Sequence, residues 1–427
     1  MPTIPVTREQ FQFFVLIGLV FISGNNSSQA YHLGMLGTEP EWSLLDRFQK
    51  TMSRSEFVEA LETVYLPYGY DEELITIYPG YALIKMDSDN PDASYRYDFA
   101  PWGPIEDSAE DAVIGKNEVK ISPLEGLVIA IDPGHIGGEF SEMERRHFQI
   151  GNDPPIKEGD LTLLVAQKVQ KRLRSLGATA KLLRMEPQPV TQGRPDDFME
   201  IAESIEQQFW LEEHNFSLRN TPWETESFQR KIVERADMLF YRVSEIQARG
   251  ELLNDTIRPD LTLAIHFNVS PWPEPTHQRL AKENHMHILV HGTYMREELA
   301  LDDVRFHLFR KLLSRNHEVE IPLGKSVADS LAQTSGLPPF TYGGRNASNQ
   351  GGNPNVWARN LLANRLYDGP VVFLEAYCSN SIEVYQRIQM GDYEGLRDVN
   401  GTRRSSLYNE YAHGVVEGLI DYYSNAR

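Results

Sequence analysis

The chain has one cysteine, Cys378, so no intramolecular disulfide can hold it together, and a single thiol says nothing of the redox compartment. Basic residues are outnumbered: 41 Lys and Arg against 61 Asp and Glu give a formal net charge of -20. This excludes nonspecific nucleic-acid binding, which needs clustered cations for phosphate. It also excludes a basic helix lying on a membrane surface. No internal repeat and no low-complexity tract is present. Past the N-terminus, no apolar run reaches the roughly 20 residues that a membrane span needs. With 41% apolar and 24% charged residues, the remainder reads as packed globular protein.

The N-terminus carries the longest apolar run, Phe11 to Ile22, interrupted only by Gln12 and Gly18 and followed by Ser28-Gln29-Ala30. A short run of this kind closed by small residues reads as a secretory signal peptide over 1–30, cut near Ala30. It implies an exported protein, periplasmic or extracellular, with no stable membrane span after cleavage. No cysteine follows, which excludes an N-terminal lipid anchor. Residues 31–120 read as a small accessory region. Its apolar spacing from Ser43 to Val64 predicts one or two helices, with Ser53 or Ser55 as a cap, and Tyr81 to Met86 predicts a strand.

From 121 to 427 the pattern changes to short apolar runs alternating with amphipathic stretches. Strands are predicted at Leu127–Ile131, Ala180–Leu183, Leu261–Ile265, Met286–Val290 and Pro370–Leu374. Helices are predicted at Leu161–Leu176, ended by Gly177, and at Tyr408–Tyr423. This alternation predicts an α/β domain with a mainly parallel sheet flanked by helices. Two long insertions interrupt it, 186–235 and 292–360; the second is expected to cover the cleft as a lid.

Four polar residues stand at comparable places in this pattern. His135 follows the first strand, in Asp132-Pro-Gly-His135. Glu158 opens the first helix. His266 follows the strand ending at Ile265, and Glu375 the strand ending at Leu374. Ligands of open α/β sheets bind beyond the carboxyl ends of the strands, so these residues can converge. Two His and one carboxylate make a three-ligand zinc site with a position left for water. A further carboxylate that is not a ligand, Glu375, suits the general base. Taken singly, each has a plainer explanation: a strand-end His is often a hydrogen-bonded structural residue, and a Glu at a helix start serves the helix dipole.

The surrounding stretches resemble the zinc-dependent N-acetylmuramoyl-L-alanine amidases of flavodoxin-like fold. Ile129-Ala-Ile-Asp-Pro-Gly-His-Ile-Gly-Gly138 is similar to that family's opening strand and metal-binding turn. Glu158-Gly-Asp-Leu-Thr-Leu-Leu-Val-Ala166 is similar to its Glu-Lys-Asp-Leu-Asn-Leu helix start, and Leu263-Ala-Ile-His-Phe-Asn268 to its Ser-Ile-His-Ala-Asn segment. Pro370-Val-Val-Phe-Leu-Glu-Ala-Tyr-Cys-Ser-Asn380 resembles its final strand, and Tyr411-Ala-His-Gly-Val-Val-Glu-Gly-Leu-Ile420 its last helix. The resemblance covers about 125–423 and keeps the family's order. It implies a flavodoxin-like sheet, Zn2+ held by His135, Glu158 and His266, and Glu375 as the base. The implied reaction is hydrolysis of the amide between N-acetylmuramic acid and L-alanine in peptidoglycan or a muropeptide. A zinc peptidase cutting another peptide bond, or a cell-wall-binding protein without activity, remains an alternative.

The sequence departs from the family where Ala376-Tyr377 replaces Gly-Phe and where a long segment separates His135 from Glu158. In that segment Glu139, Glu142 and Glu144 stand as competing ligands. Other polar groups are weaker signals. His285, His287 and His291 share one face at strand period, which suggests a half-exposed row near the cleft or, less simply, a second metal site. Arg184 and Arg194 read equally as substrate contacts or salt-bridged structural residues. The stretches Tyr342–Asn346 and Asn349–Asn353, rich in Gly and Asn, lack the Lys-Ser/Thr of a nucleotide loop and suit sugar or peptide instead. Cys378 reads as a buried structural thiol.

Overall fold

In the computed structural model, residues 33–90, 92–101, 122–214, 221–273 and 279–425 are described. The signal-peptide segment, 1–30, lies outside them. No helix among the described residues is long and apolar enough to cross a membrane.

The N-terminal region opens with a 3-10 turn at Trp42–Phe48 and helix α1 (Arg54–Ala60). Ser53 caps α1 in a reciprocal box with Glu56, which satisfies two orphan N–H groups of the first turn. Three antiparallel strands follow, β1 (Ile75–Ile77), β2 (Tyr81–Lys85) and β3 (Ser94–Asp98). The apolar side of this region is continuous with the main core: Trp42 of the 3-10 turn meets Phe306 edge-on at 5.5 Å, and Phe57 of α1 stacks on Phe309 at 6.1 Å.

The main sheet begins with β4 (Val128–Pro133). A small hairpin, β5 (His147–Phe148) and β6 (Ile156–Lys157), leads into helix α2 (Glu158–Ser175). Gly177, at φ 85°, turns the chain out of α2, and the Ala178 N–H closes back on Leu173 O at 3.1 Å. Strand β7 (Thr179–Leu182) is followed by helices α3 (Met199–Glu213), α4 (Glu226–Met238) and α5 (Glu245–Glu251), the last two joined by a π-helical turn. Then come β8 (Leu261–Asn268), β9 (Met286–Val290), α6 (Asp302–Leu313), α7 (Asn316–Ser335), β10 (Ser348–Asn349), β11 (Val356–Ala358) and α8 (Leu362–Leu366). The chain ends on β12 (Val371–Cys378), α9 (Ile382–Gln389), a β-hairpin and α10 (Leu407–Asn425).

The seven strands of the main sheet run β10-β11-β9-β12-β8-β4-β7. β7, β4, β8 and β12 are mutually parallel, while β9 runs antiparallel to β12. The expected α/β class and mainly parallel sheet are thus observed. Numbered along the chain, the central strands follow 2-1-3-5-4. The first three keep the flavodoxin order, and the last two are exchanged. Alternation sends Ile129, Ile131, Leu263, Ile265 and Leu374 into the core under α2, α7 and α10. Ala130 and Val371 pack on the opposite face with residues of α5 and α8.

The insertion at 292–360 does not form a lid as expected. α7 packs on β9 and α10, and β11 joins the sheet, so most of this stretch is structural. The loop after α7 is held to β9, where the Phe340 N–H donates to Met286 O at 3.0 Å. The other insertion forms the α3–α4 pair with an apolar cluster of its own around Ile205, Phe228 and Ile232.

Candidate metal centre

His135, Glu158 and His266 come together although far apart in sequence; one ligand atom from each lies within 4.8 Å of the others. They meet where β4 and β8 diverge in chain order, the switch point at which open sheets bind ligands. His135 leaves β4 in a left-handed conformation, φ 59°, which a non-glycine residue adopts only when its surroundings impose it. Those surroundings are specific. The Arg249 guanidinium donates to His135 O at 2.9 Å and to Pro133 O at 2.9 Å, and it pairs with Asp132 at 2.7 Å. Its other partner is Glu245, at 2.7 Å, and Tyr367 donates to the second Asp132 oxygen at 2.7 Å. Gly134 is required because a Cβ there would lie 2.3 Å from the His266 ring.

Glu158 is the first residue of α2, and its Oε1 lies 3.2 Å from His135 Nε2 and 3.3 Å from His266 Nδ1. Metal bonds of about 2.0–2.1 Å in a tetrahedron set ligand atoms roughly 3.3 Å apart; the two Glu158–His spacings match this, so the group could hold a metal ion. A cation already stands at this point: Arg146 Nε is 3.2 Å from His135 Nε2 and 3.5 Å from Glu158 Oε2. Burial works against the charge of Glu158, but His135 beside it holds the carboxyl well below its usual range. Burial likewise pulls His135 down, yet the Glu158 charge outweighs it and raises the imidazole. Burial lowers His266, which favours its neutral form, the form that binds metals.

Glu375 lies in β12, directly in register with His266 on β8, and Tyr411 donates across the two strands to His266 O and Leu374 O. Both strands therefore run past the ends predicted for them, and both side chains project from the face that carries Phe373, on which His266 stacks at 4.2 Å. Burial first, and then the Glu158 charge, push the Glu375 carboxyl up to about 8.

The competing carboxylates separate clearly. Glu139 and Glu142 are exposed. Both oxygens of Glu144 accept backbone N–H groups, from Ile136 at 2.8 Å and Gly137 at 3.0 Å, while Oε1 sits 3.6 Å from His135 Nδ1. Glu144 is thus placed to orient the imidazole from behind and leave Nε2 facing Glu158. If a metal such as zinc occupies this group, Glu144→Gln is expected to weaken its binding about 10- to 100-fold, and Glu158→Gln is expected to abolish stoichiometric binding. Zinc titration of both variants checks this; equal effects would undo the division of roles.

Other groups fall elsewhere. Arg184 is buried and donates to Pro133 O, Gly134 O and Gly159 O, bracing the His135 turn against α2. Arg194 bonds nearby carbonyls and closes a turn with Asp197. The expected half-exposed row of three histidines does not form: the His285 and His287 rings stay neighbours at 6.4 Å, both against Phe340, while His291 turns to Tyr65 and Tyr294. His287 and His291 are buried, and His291 accepts or donates to Tyr294 at 2.7 Å. Among the described residues they form no metal-ligating group. Cys378 is buried, its thiol pushed up to about 11 chiefly by burial, and His285 beside it at 3.4 Å is lowered by burial too. Neither is in the charged form that a thiolate–imidazolium pair needs. The sequence reading missed Arg249, Glu245 and Tyr367. The one available signal was Asp132 itself, a carboxylate at the end of a buried strand, which demands a partner.

A cleft of about 420 Å³ opens beside Glu158, lined by Arg146, Phe148, Trp272 and Ser379. No protein-family model matches the chain, and no curated protein matches it. Solved structures similar to it include the apo form of the N-acetylmuramyl-L-alanine amidase Ami1 from Mycobacterium abscessus, at 16% identity over 70% of this chain and 99% of that one, with a TM-score of 0.38. Another is the N-acetylmuramoyl-L-alanine amidase AmiC2 of Nostoc punctiforme, at 14% identity over 70% and 97%, with a TM-score of 0.36. A third is the catalytic domain of CwlV, an N-acetylmuramoyl-L-alanine amidase from Bacillus (Paenibacillus) polymyxa, at 13% identity over 70% and 98%, with a TM-score of 0.35. At TM-scores this low the likeness carries no functional weight.

Proposed function

We propose that this protein is an exported zinc-dependent hydrolase of peptidoglycan, cutting the amide between the lactyl group of N-acetylmuramic acid and L-alanine. The observation that carries the reading is the spacing of one Glu158 oxygen from a nitrogen of each His, 3.2 and 3.3 Å, with Glu375 beside His266 in the neighbouring strand. The motifs of the amidase family supply the choice of bond.

His135, Glu158 and His266 would hold the metal. Zinc, when bound, polarises the scissile carbonyl and lowers the pKa of a water to about 7. Glu375 would take a proton from the attacking water and deliver it to the leaving nitrogen. Its enclosure raises its affinity for a proton and so favours receiving one, while the nearby Arg146 and Arg359 cations favour the ionised form from which a base must start. Phe148 and Trp272, edge to face at 5.1 Å, wall the cleft on the side of the β5–β6 hairpin and limit water there.

The test is a digest of purified muropeptides read by mass spectrometry. The expected products are a free peptide beginning with L-alanine and an intact N-acetylmuramic acid moiety. Cleavage inside the stem peptide, or of ordinary peptides at equal rate, would favour the zinc peptidase instead.

A further inference from the structure

Arg146 is fixed at its backbone and open at its side chain. Its N–H donates to Ser141 O at 2.8 Å, and its carbonyl accepts the N–H of Glu158, the residue that opens α2, at 3.1 Å. The backbone is therefore tethered to the ligand set. The guanidinium is held by one edge alone. Its Nε–H donates to His135 Nε2 at 3.2 Å and stands 3.5 Å from Glu158 Oε2, and these are the side chain's only hydrogen-bond and ion-pair partners among the described residues. The two Nη groups take no part in either contact, and the side chain is 37% exposed. It lines the cleft together with Phe148, Trp272 and Glu158.

This contact and a bound metal exclude each other. His135 Nδ1 faces Glu144, 3.6 Å away, so the lone pair that Arg146 meets on Nε2 is the one a metal would take, and one lone pair cannot serve both. A guanidinium held against a divalent cation is also repelled. Metal at His135, Glu158 and His266 therefore turns the guanidinium out toward the cleft that it already lines. The same event spends the charge of Glu158, the acid of that lining. The cleft passes from a paired Arg146 and Glu158 to an unpaired cation. In a chain of net charge -20, an anion is attracted there and repelled elsewhere. A guanidinium with both Nη groups open presents the fork that fits a carboxylate.

On the metal-dependent amidase reading, we propose that Arg146 is a specificity residue with two positions. Against His135 and Glu158 it competes with the metal; turned into the cleft it takes a carboxylate of the substrate's peptide. Metal and acidic peptide then strengthen each other's binding, because both favour the position in which Arg146 has left the ligands. In the proposed scissile amide the lactyl carboxyl is consumed, so the carboxylate comes from the peptide. Arg146 is tethered beside the ligands, and an extended chain advances about 3.3–3.6 Å per residue. The acid it reads therefore lies within the first few residues past the bond.

Zinc is titrated calorimetrically into the parent, Arg146→Gln and Arg146→Lys proteins. Arg146→Gln is expected to bind zinc about 10-fold more tightly, the release of one charge-assisted contact, while Arg146→Lys keeps the charge and stays near the parent. The titrations are repeated with saturating peptide that begins with L-alanine, the product end, and carries an acidic second residue either free or amidated. The free acid should tighten zinc binding by the parent about 10-fold, within the usual coupling between two sites. The amidated peptide should do far less, and neither should alter Arg146→Gln. Zinc affinity unchanged or weakened in Arg146→Gln, or no Arg146-dependent difference between the two peptides, overturns the proposal; release of peptide from muropeptides by the same parent preparation would leave the amidase reading standing. The expected zinc and peptide effects without muropeptide hydrolysis support the role of Arg146 and overturn the amidase reading.

Discussion

Glu375→Gln should lower the rate of muropeptide hydrolysis by about 10²- to 10⁴-fold, the range of a general acid–base group, while leaving zinc bound. The two halves of this expectation come from different observations. Glu375 is paired in register with His266 but belongs to no metal-ligating group, so its loss leaves His135, Glu158 and His266 intact. Its carboxyl is pushed up to about 8 by burial and by Glu158, and glutamine of the same shape cannot exchange a proton. The fold should not suffer, because a carboxyl raised to about 8 is already largely uncharged at neutral pH, and the amide keeps its shape. Zinc content, a thermal melt and the rate, measured on one preparation, check all three. Loss of zinc would make Glu375 a ligand; an unchanged rate would remove it from the mechanism.

Arg249→Met should destabilise the protein by about 3–5 kcal/mol, the cost of stripping one partner from a buried ion pair. Here two carboxylates are stranded at once, Asp132 and Glu245, both buried. Glu245 also accepts the N–H groups of Val190 and Thr191, so its charge is tied to the start of the α3–α4 region. Arg249→Lys should not rescue, because one ammonium cannot replace a fork that reaches Asp132, Glu245, Pro133 O and His135 O together. With its carbonyl released, His135 is free to leave φ 59°, and zinc affinity should fall with stability. Denaturant unfolding of parent and variant measures the difference; a loss below about 1 kcal/mol would mean the network is dispensable.

Much of this arrangement was legible in the sequence, and the parts that were not share a physical cause. The buried parallel strands announced themselves as apolar runs, and the polar residues at their ends marked the cleft. The exact ends did not show. The reading stopped the strands at Ile265 and Leu374, whereas β8 continues to Asn268 and β12 to Cys378. Polar side chains there imitate a loop, while the ladder that keeps them in the sheet depends on neighbours distant in sequence. The antiparallel direction of β9 was invisible for a similar reason, since Met286–Val290 is buried at every position, as a central parallel strand would be. Helix α7 lies between two site residues in sequence, which suggests a lid; its apolar face, with Leu323, Val327 and Leu331 fully buried, belongs to the core. Arg249 shows locally only an ordinary i,i+4 pairing with Glu245, while Asp132, the partner that ties it to the metal turn, is 117 residues away.

The central claim is that hydrolysis runs through a metal held by His135, Glu158 and His266. It is tested most directly by stripping the protein with a chelator and titrating zinc back while following muropeptide cleavage. The account predicts no turnover in the stripped protein and full recovery at one zinc per chain, with no recovery in His266→Ala. Undiminished cleavage by the stripped protein, or full recovery by His266→Ala at the same zinc, would contradict it.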